Sequence, residues 1–278
     1  MRRMPGRPGH YRLVAVDVDG TLVASDAPPT PRVAAAIRQA VEAGVWVVLA
    51  SGRAFPSVRA YAQPLGLDGP AICYQGAEVR LGGEGRVLFR KTVARALVEE
   101  AAALARGFGL EVSVHRDDAV YMESLPRAET FYRWAFGMAP RVVGSLQEAL
   151  RGDPVKFLLI GEPAQLNAAE PAFRARFQGR LQVVRSHALF LEGVALGVSK
   201  GEALAHVARH LGVAREETVA VGDQDNDVPM MRWAGLGVAM GNAPAAVQAQ
   251  ADVVAPSVRE DGLAWVLEGW VLARGSSR

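Results

Sequence analysis

The chain has 278 residues, half of them hydrophobic, with 31 basic against 29 acidic side chains and a net charge of +2. That length suits one large domain or two modest ones around a buried core, and the near balance of charge, with no basic stripe interleaved with aromatics, excludes nucleic acid as an expected partner. No apolar run approaches the ~20 residues of a membrane span, and the single cysteine, Cys73, leaves no disulfide framework and fits a reducing, cytoplasmic setting.

Taken in chain order, residues 1–9 of "MRRMPGRPGH" are Pro/Gly-rich with no apolar stretch behind them, and read as a disordered terminus, not a signal peptide. "RLVAVD" (12–17) is an unbroken apolar run, as expected of a strand covered on both faces. "TPRVAAAIRQAVEAG" (30–44) reads as a helix with Thr30 as cap, Pro31 in the first turn, Gly44 as stop and Val33, Ile37, Ala40 and Val41 on its apolar face. "VWVVLA" (45–50) and "PAICY" (70–74) are the next strands, and this order with short connections specifies a parallel sheet. From about Gly85 to Phe190 the pattern changes: a helix at 94–109 is followed by the alternating segments 111–115, 119–123, 155–160 and 181–186, an α+β unit set into the parallel domain. The tail resumes the first rhythm: a helix at 200–212 between Ser199 and Gly212, a strand at 218–222, a helix at 227–235, and short strands at 236–240 and 252–254 around a helix at 243–251.

The chemistry sits at the strand ends. Asp17 and Asp19 of "DVDG" are two residues apart, so in extended chain they would project the same way about 6.6 Å apart, and parallel sheets bind ligands beyond the carboxyl ends of their strands. Alone, D-x-D-G is as much a turn as a site. Three further strand ends carry polar groups at the equivalent place: "LASGR" (49–53), Lys200, and "VGDQDND" (221–227). Asp17, Asp19 and Asp223 brought together would repel one another and raise their own pKa values. A hard divalent cation offsets this, and oxygen-only ligands favour Mg²⁺ over zinc. Ser51, Lys200 and Asn226 then supply a hydroxyl, an ammonium and an amide, donors that make a receptacle for phosphate. The only lysines among the basic residues are Lys91, Lys156 and Lys200, which mildly favours ammonium chemistry at those that remain.

"DVDGT", "SGR", "GVSKG" and "GDQDND" stand in the order and approximate spacing of the haloacid dehalogenase superfamily of phosphatases, and "VAMGNAPAAVQAQADVVAPSVREDGLAWVL" resembles the tail of its Cof-type branch. The resemblance implies an α/β fold: a Rossmann-like parallel-sheet core (1–84 and 191–278) with an inserted α+β cap domain (85–190). It implies Asp17 as the nucleophile that forms an aspartyl-phosphate and Asp19 as general acid, then base. Mg²⁺ would be held by the carboxylates of Asp17 and Asp223 and the backbone carbonyl of Asp19, with Asp227 and Thr21 behind them. Ser51, Gly52, Lys200 and Asn226 would bind the phosphoryl group. The family's threonine is Ser51 here, and its Asn-Gly-Ala is "QGA" (75–77), so the longer Gln75 reshapes the substrate mouth. The expected function is a Mg²⁺-dependent phosphomonoesterase acting on a small phosphorylated metabolite, a sugar phosphate or a phosphorylated cofactor. A phosphomutase or phosphotransferase using the same intermediate and a non-catalytic phosphometabolite sensor are the alternatives.

Other features weigh less. His206 and His210 are four apart on a helix but lack a third ligand, so a solvated face is expected. "GLGVAMG" (235–241) has the wrong spacing for a dinucleotide loop and follows a helix. Arg53 reads as a surface or inter-domain pair, Asp225 as solvated, Lys156 equally as a substrate contact or a sheet-end surface charge. Trp134 is the one tryptophan expected to reach substrate; the others read as packing residues.

Overall fold

The computed structural model describes residues 10–24, 27–83 and 85–273, and the terminal segment 1–9 lies outside them. The elements in order are β1 (Leu13–Asp17), α1 (Pro31–Glu42), β2 (Trp46–Ala50), α2 (Phe55–Ala62), β3 (Pro70–Cys73), β4 (Glu78–Leu81), β5 (Val87–Arg90), α3 (Arg95–Gly107), β6 (Glu111–Arg116), β7 (Ala119–Met122), α4 (Glu129–Phe136) and β8 (Arg141–Val142). They continue with α5 (Leu146–Ala149), β9 (Lys156–Ile160), α6 (Pro163–Phe177), β10 (Leu181–His187), β11 (Phe190–Ala195), α7 (Lys200–Leu211), β12 (Thr218–Gly222), α8 (Val228–Trp233), β13 (Leu236–Ala239), α9 (Ala245–Gln248), β14 (Val253–Val254) and α10 (Gly262–Val266).

The strands form an eight-stranded sheet, β14-β13-β12-β1-β2-β3-β4-β5, and a six-stranded sheet, β10-β11-β9-β6-β7-β8. From β14 to β3 the first sheet is parallel, and β4 and β5 add an antiparallel edge. The second is antiparallel apart from the β7–β8 pair. Strand β1 is buried throughout because both its faces are covered. Val14 and Val16 pack in one cluster with Ile37 of α1 and Leu263 of α10, whereas Leu13 and Ala15 pack in another with Leu204 of α7 and Met230 of α8. This period-two alternation gives Asp17 the parity of Leu13 and Ala15, the side of α7, whose first residue is Lys200.

The second sheet follows the same rule. Val114, Phe157, Leu159 and Leu191 pack into one cluster with α3 and α6 residues. The alternate positions His115, Lys156, Leu158 and Glu192 turn the other way and line a cavity shared with Asp17. Lys156 and Glu192, buried inside β9 and β11, thus lie on the face that looks into this cavity.

Several expectations need correction. Strand β5, expected in the inserted unit, pairs with β4 in the first sheet, and β11 runs to Ala195 in the second, so the sheets change over several residues from 84/85 and 190/191. The reason is that residues 87–90 complete a hairpin whose antiparallel strands can leave a parallel sheet by its edge. On α1, Thr30 caps the amide of Val33 as expected, but Val41 is 38% exposed and Ala36 is buried instead. The helix expected at 243–251 is cut to Ala245–Gln248, because Pro244 starts it in extended backbone and the Gln248 amide turns back to the carbonyls of Gly241 and Ala243. The helix expected at 227–235 spans only Val228–Trp233, since the Asp227 side chain turns back to the amides of Asp223 and Gln224.

Candidate active site

The loops after β1, β2, β3 and β12 and the start of α7 meet at one end of the parallel sheet. Lys200, only 1% exposed, donates to Asp17 Oδ1 at 2.5 Å and Asp227 Oδ1 at 2.6 Å. Asp227 Oδ2 accepts from the backbone amides of Asp223 and Gln224, both at 3.0 Å, which folds the loop after β12 around it. Asp223 accepts from the Thr21 hydroxyl at 3.1 Å, Gln224 Nε2 at 2.9 Å and Asn242 Nδ2 at 3.3 Å. Gly20 sits at φ +90°, and a Cβ there would lie 2.3 Å from Asp223 Oδ2; only glycine lets the loop after β1 pass this close. Ser51 is buried, and its hydroxyl oxygen accepts from the Arg53 amide at 3.2 Å, which leaves its own proton to donate.

Asp19 departs from expectation. The strand ends at Asp17, so the same-side rule stops there, and Asp19 reaches Arg53 instead. Arg53 Nε and Nη2 donate to its two carboxylate oxygens at 2.9 and 2.7 Å, a two-pronged pair. The Asp19 side chain stays 53% exposed. Asn226 also departs: its Nδ2 donates to Gln75 Oε1 at 2.8 Å, and its Oδ1 is buried without a partner.

Three carboxylates in this cluster face one ammonium. Burial, then Asp227, pushes the Asp17 carboxyl well above the usual carboxylate range, with Lys200 opposing. Burial and Asp227 likewise push Asp223 up to about 6. Asp17, Asp223 and Asp227 each offer an oxygen within 4.8 Å of the others. An all-oxygen donor set with excess negative charge fits a hard cation such as Mg²⁺. Asp227 has one oxygen on the Lys200 ammonium and the other on two backbone amides, whereas Asp223 is held by neutral side-chain donors alone, so Asp17 and Asp223 are the residues better placed to hold one.

The second sheet reaches the site through residues the sequence ranked low or passed over. Lys156, 3% exposed, donates to the Gly52 carbonyl at 2.9 Å and Glu192 Oε2 at 2.6 Å; Glu192 Oε1 accepts from Gln75 Nε2 at 2.9 Å. Lys156–Glu192–Gln75–Asn226 is thus a continuous polar chain across the two sheets. Gln75 enters it from left-handed backbone (φ +62°), next to Tyr74 at +51°, conformations costing about 1–3 kcal/mol each that cluster at functional sites. Trp134, 39% exposed, lines the cavity. Among the described residues His206 takes part in no metal-binding group; it stacks on Phe89. Asp225 is exposed.

His115 is buried against this chain, and burial, then Lys156, holds its pKa well below 6.5. An unfolded chain takes up a proton near pH 6.5 that the folded one refuses, so this histidine's contribution is intact above pH 6.5 and lost as pH falls below it, by up to about 1.4 kcal/mol per pH unit. His115→Gln should therefore flatten the acid limb of a stability curve between pH 6.5 and 5, measured by urea unfolding; an unchanged slope would show that other groups dominate there.

A parallel core, a second sheet inserted over its strand ends, and a buried aspartate joined to a lysine define a capped Rossmann-like hydrolase. A model of the haloacid dehalogenase-like hydrolase family matches residues 14–267, and the chain belongs to that family. It is similar to the 5-amino-6-(5-phospho-D-ribitylamino)uracil phosphatase of Bacillus subtilis, 29% identical over 262 residues, 94% of this chain and 96% of that protein. It is also similar to the HMP-PP phosphatase of Serratia proteamaculans, 30% identical over 233 residues, 84% and 85% of the two chains. A solved haloacid dehalogenase-like hydrolase from Bacteroides thetaiotaomicron superposes with a TM-score of 0.83 at 29% identity, covering 93% of this chain and 98% of that one. The chain is an enzyme, a phosphatase of this family. Among the described residues no helix is long and apolar enough to cross a membrane.

Proposed function

We propose that the protein is a Mg²⁺-dependent phosphomonoesterase that works through an aspartyl-phosphate on Asp17 and acts on a small phosphorylated metabolite. The observation that carries this reading is the buried Asp17–Lys200–Asp227 triad at the strand ends, with Asp223 beside it. When bound, Mg²⁺ supplies positive charge against the phosphoryl oxygens and the carboxylates of Asp17 and Asp223. Lys200 orients Asp17 and neutralises the incoming phosphate, and the Ser51 hydroxyl donates to a phosphoryl oxygen. An Asp17 oxygen attacks phosphorus as the bond to the leaving oxygen breaks, and Asp19 gives that oxygen its proton. Water then attacks the aspartyl-phosphate, Asp19 takes a water proton, and inorganic phosphate leaves. Arg53 donates to both oxygens of Asp19, so one of those bonds must open for Asp19 to reach the leaving oxygen. The inserted sheet roofs the cavity, with Lys156 tying it to the carbonyl of Gly52.

Phosphate release from a panel of sugar phosphates, FMN, pyridoxal 5′-phosphate and nucleotides, with Mg²⁺ and after chelation, tests this. Release that requires Mg²⁺ is expected. Isomerised sugar phosphate without free phosphate would assign the protein to the mutases, and binding without any turnover would leave a sensor.

A further inference from the structure

The turn after β2 is held from two sides. Its Ser51 and Arg53 carbonyls accept from the amides of Gln75 and Tyr74, at 3.1 and 3.0 Å, so the core itself satisfies them. Those two donors stand in left-handed backbone, at φ +62° and +51°. The carbonyl between them in sequence, that of Gly52, accepts instead from the inserted sheet, from Lys156 Nζ at 2.9 Å. The packing here is close enough to require glycine: a Cβ at Gly52 would lie 2.4 Å from Gln75 Nε2.

The Gly52 carbonyl and the Arg53 N–H belong to one peptide unit. That unit is trans, so the two groups point in opposite directions. While Lys156 holds the oxygen, the N–H on the far side donates to Ser51 Oγ at 3.2 Å. An ammonium on the carbonyl polarises the amide and strengthens its donation, and it fixes the plane in which the N–H lies. The Ser51 oxygen is thereby occupied as an acceptor, and its hydroxyl proton is left for a phosphoryl oxygen. Lys156 is itself anchored: Glu192 Oε2 accepts from it at 2.6 Å, and Glu192 Oε1 is held by Gln75 Nε2 at 2.9 Å. With Glu192 this close the charge of Lys156 is offset, which weakens its field at a phosphate in the cavity. What it passes on is the geometry of one peptide.

We infer that Lys156 is a positioning residue: anchored by Glu192, it sets the Ser51 hydroxyl for the transferring phosphoryl group through the Gly52–Arg53 peptide. Phosphate binding in the core then depends on the inserted sheet being seated. This rests on the phosphatase reading above and on the place of Ser51 within it.

Orthovanadate mimics the phosphoryl group without a leaving group and separates this role from a substrate contact. It is titrated calorimetrically, with Mg²⁺, into wild type, Lys156→Met, Ser51→Ala and the double variant, and kcat/KM is measured for the two best esters of the panel. Ser51→Ala should weaken vanadate binding roughly ten- to hundredfold, the range of a hydrogen bond to a charged group. Lys156→Met should weaken it roughly three- to tenfold, but by less than about twofold once Ser51 is alanine, because the peptide then has no hydroxyl to orient. Its losses in kcat/KM should agree between the two esters within about twofold, since the phosphoryl group is common to both. Lys156→Met leaves Glu192 buried without its cation, so Lys156→Met/Glu192→Gln, which removes both charges, is carried through the same cycle. It should keep the coupling to Ser51 with a thermal midpoint nearer that of wild type. Unchanged vanadate affinity without Lys156, an equal loss in the Ser51→Ala background, or a loss confined to one ester overturns the inference and leaves the phosphatase reading intact. Coupled vanadate losses in a protein that hydrolyses no ester would sink the hydrolytic reading and keep the positioning role.

Discussion

Asp17→Asn should abolish phosphate release, by at least about 10⁴-fold in kcat, without lowering the thermal midpoint. The amide keeps the size of the carboxylate but cannot form the acyl phosphate, so the covalent route closes altogether. Stability should hold because Asp17 is kept at an electrostatic cost: burial and Asp227 disfavour its charged form. The variant removes one negative charge from a cluster of three carboxylates, and Lys200 retains Asp227 at 2.6 Å. Asp19→Asn, by contrast, should lose the smaller 10²–10⁴-fold typical of a general acid–base, about as much as its role allows. Steady-state phosphate release and a thermal melt on both variants decide the matter. Turnover by the Asp17 variant within tenfold of wild type would remove it from the nucleophile's place, whatever the melt showed.

The strand-end cluster was readable in the sequence because a charge at the mouth of an apolar strand is locally anomalous. "LVAVD" and "TVAVGD" each run buried and then end on an acid, and the alternation of β1 alone gives Asp17 the parity that meets α7. What local sequence cannot show is partnership over distance. Arg53 and Asp19 are 34 residues apart and Glu192 and Gln75 117 apart, and nothing within either segment names the other. Glu192 could have been found by the reasoning applied to Asp17: it is an acid within the otherwise apolar "FLEGVA", and a buried acid needs a partner. Lys156 opens "KFLLI" in the same way. The sheet changeovers were misplaced for a different reason. A hairpin such as β4–β5 shows the same alternation whether it extends one sheet or starts another, and only its pairing with β3 tells them apart.

Lys200→Met should destabilise the folded protein more than any other single change in the site, and in a way that pH and Mg²⁺ both report. Burial works against the Lys200 ammonium, but Asp17 and Asp227 outweigh it and hold the group above its ordinary pKa. Methionine matches the stem and leaves Asp17, Asp223 and Asp227 without their internal cation. Breaking a buried pair from one side costs about 3–5 kcal/mol, which for a chain of this size is a fall of roughly 6–20 °C in thermal midpoint. The pH dependence follows from the direction of the shifts. Asp17 and Asp223 titrate higher folded than unfolded, Asp223 at about 6, so the folded state holds more protons and loses stability as pH rises through about 6. Removing the ammonium raises both further, so in chelated buffer the penalty should be larger at pH 8 than at pH 5.5. Mg²⁺ should then recover more midpoint in the variant than in wild type, because ligand binding to the folded state alone adds stability in proportion to affinity and the cation becomes the cluster's remaining counter-charge. A penalty independent of both pH and Mg²⁺ would mean that Lys200 acts by packing its methylenes, and the carboxylate cluster would then need another source of positive charge.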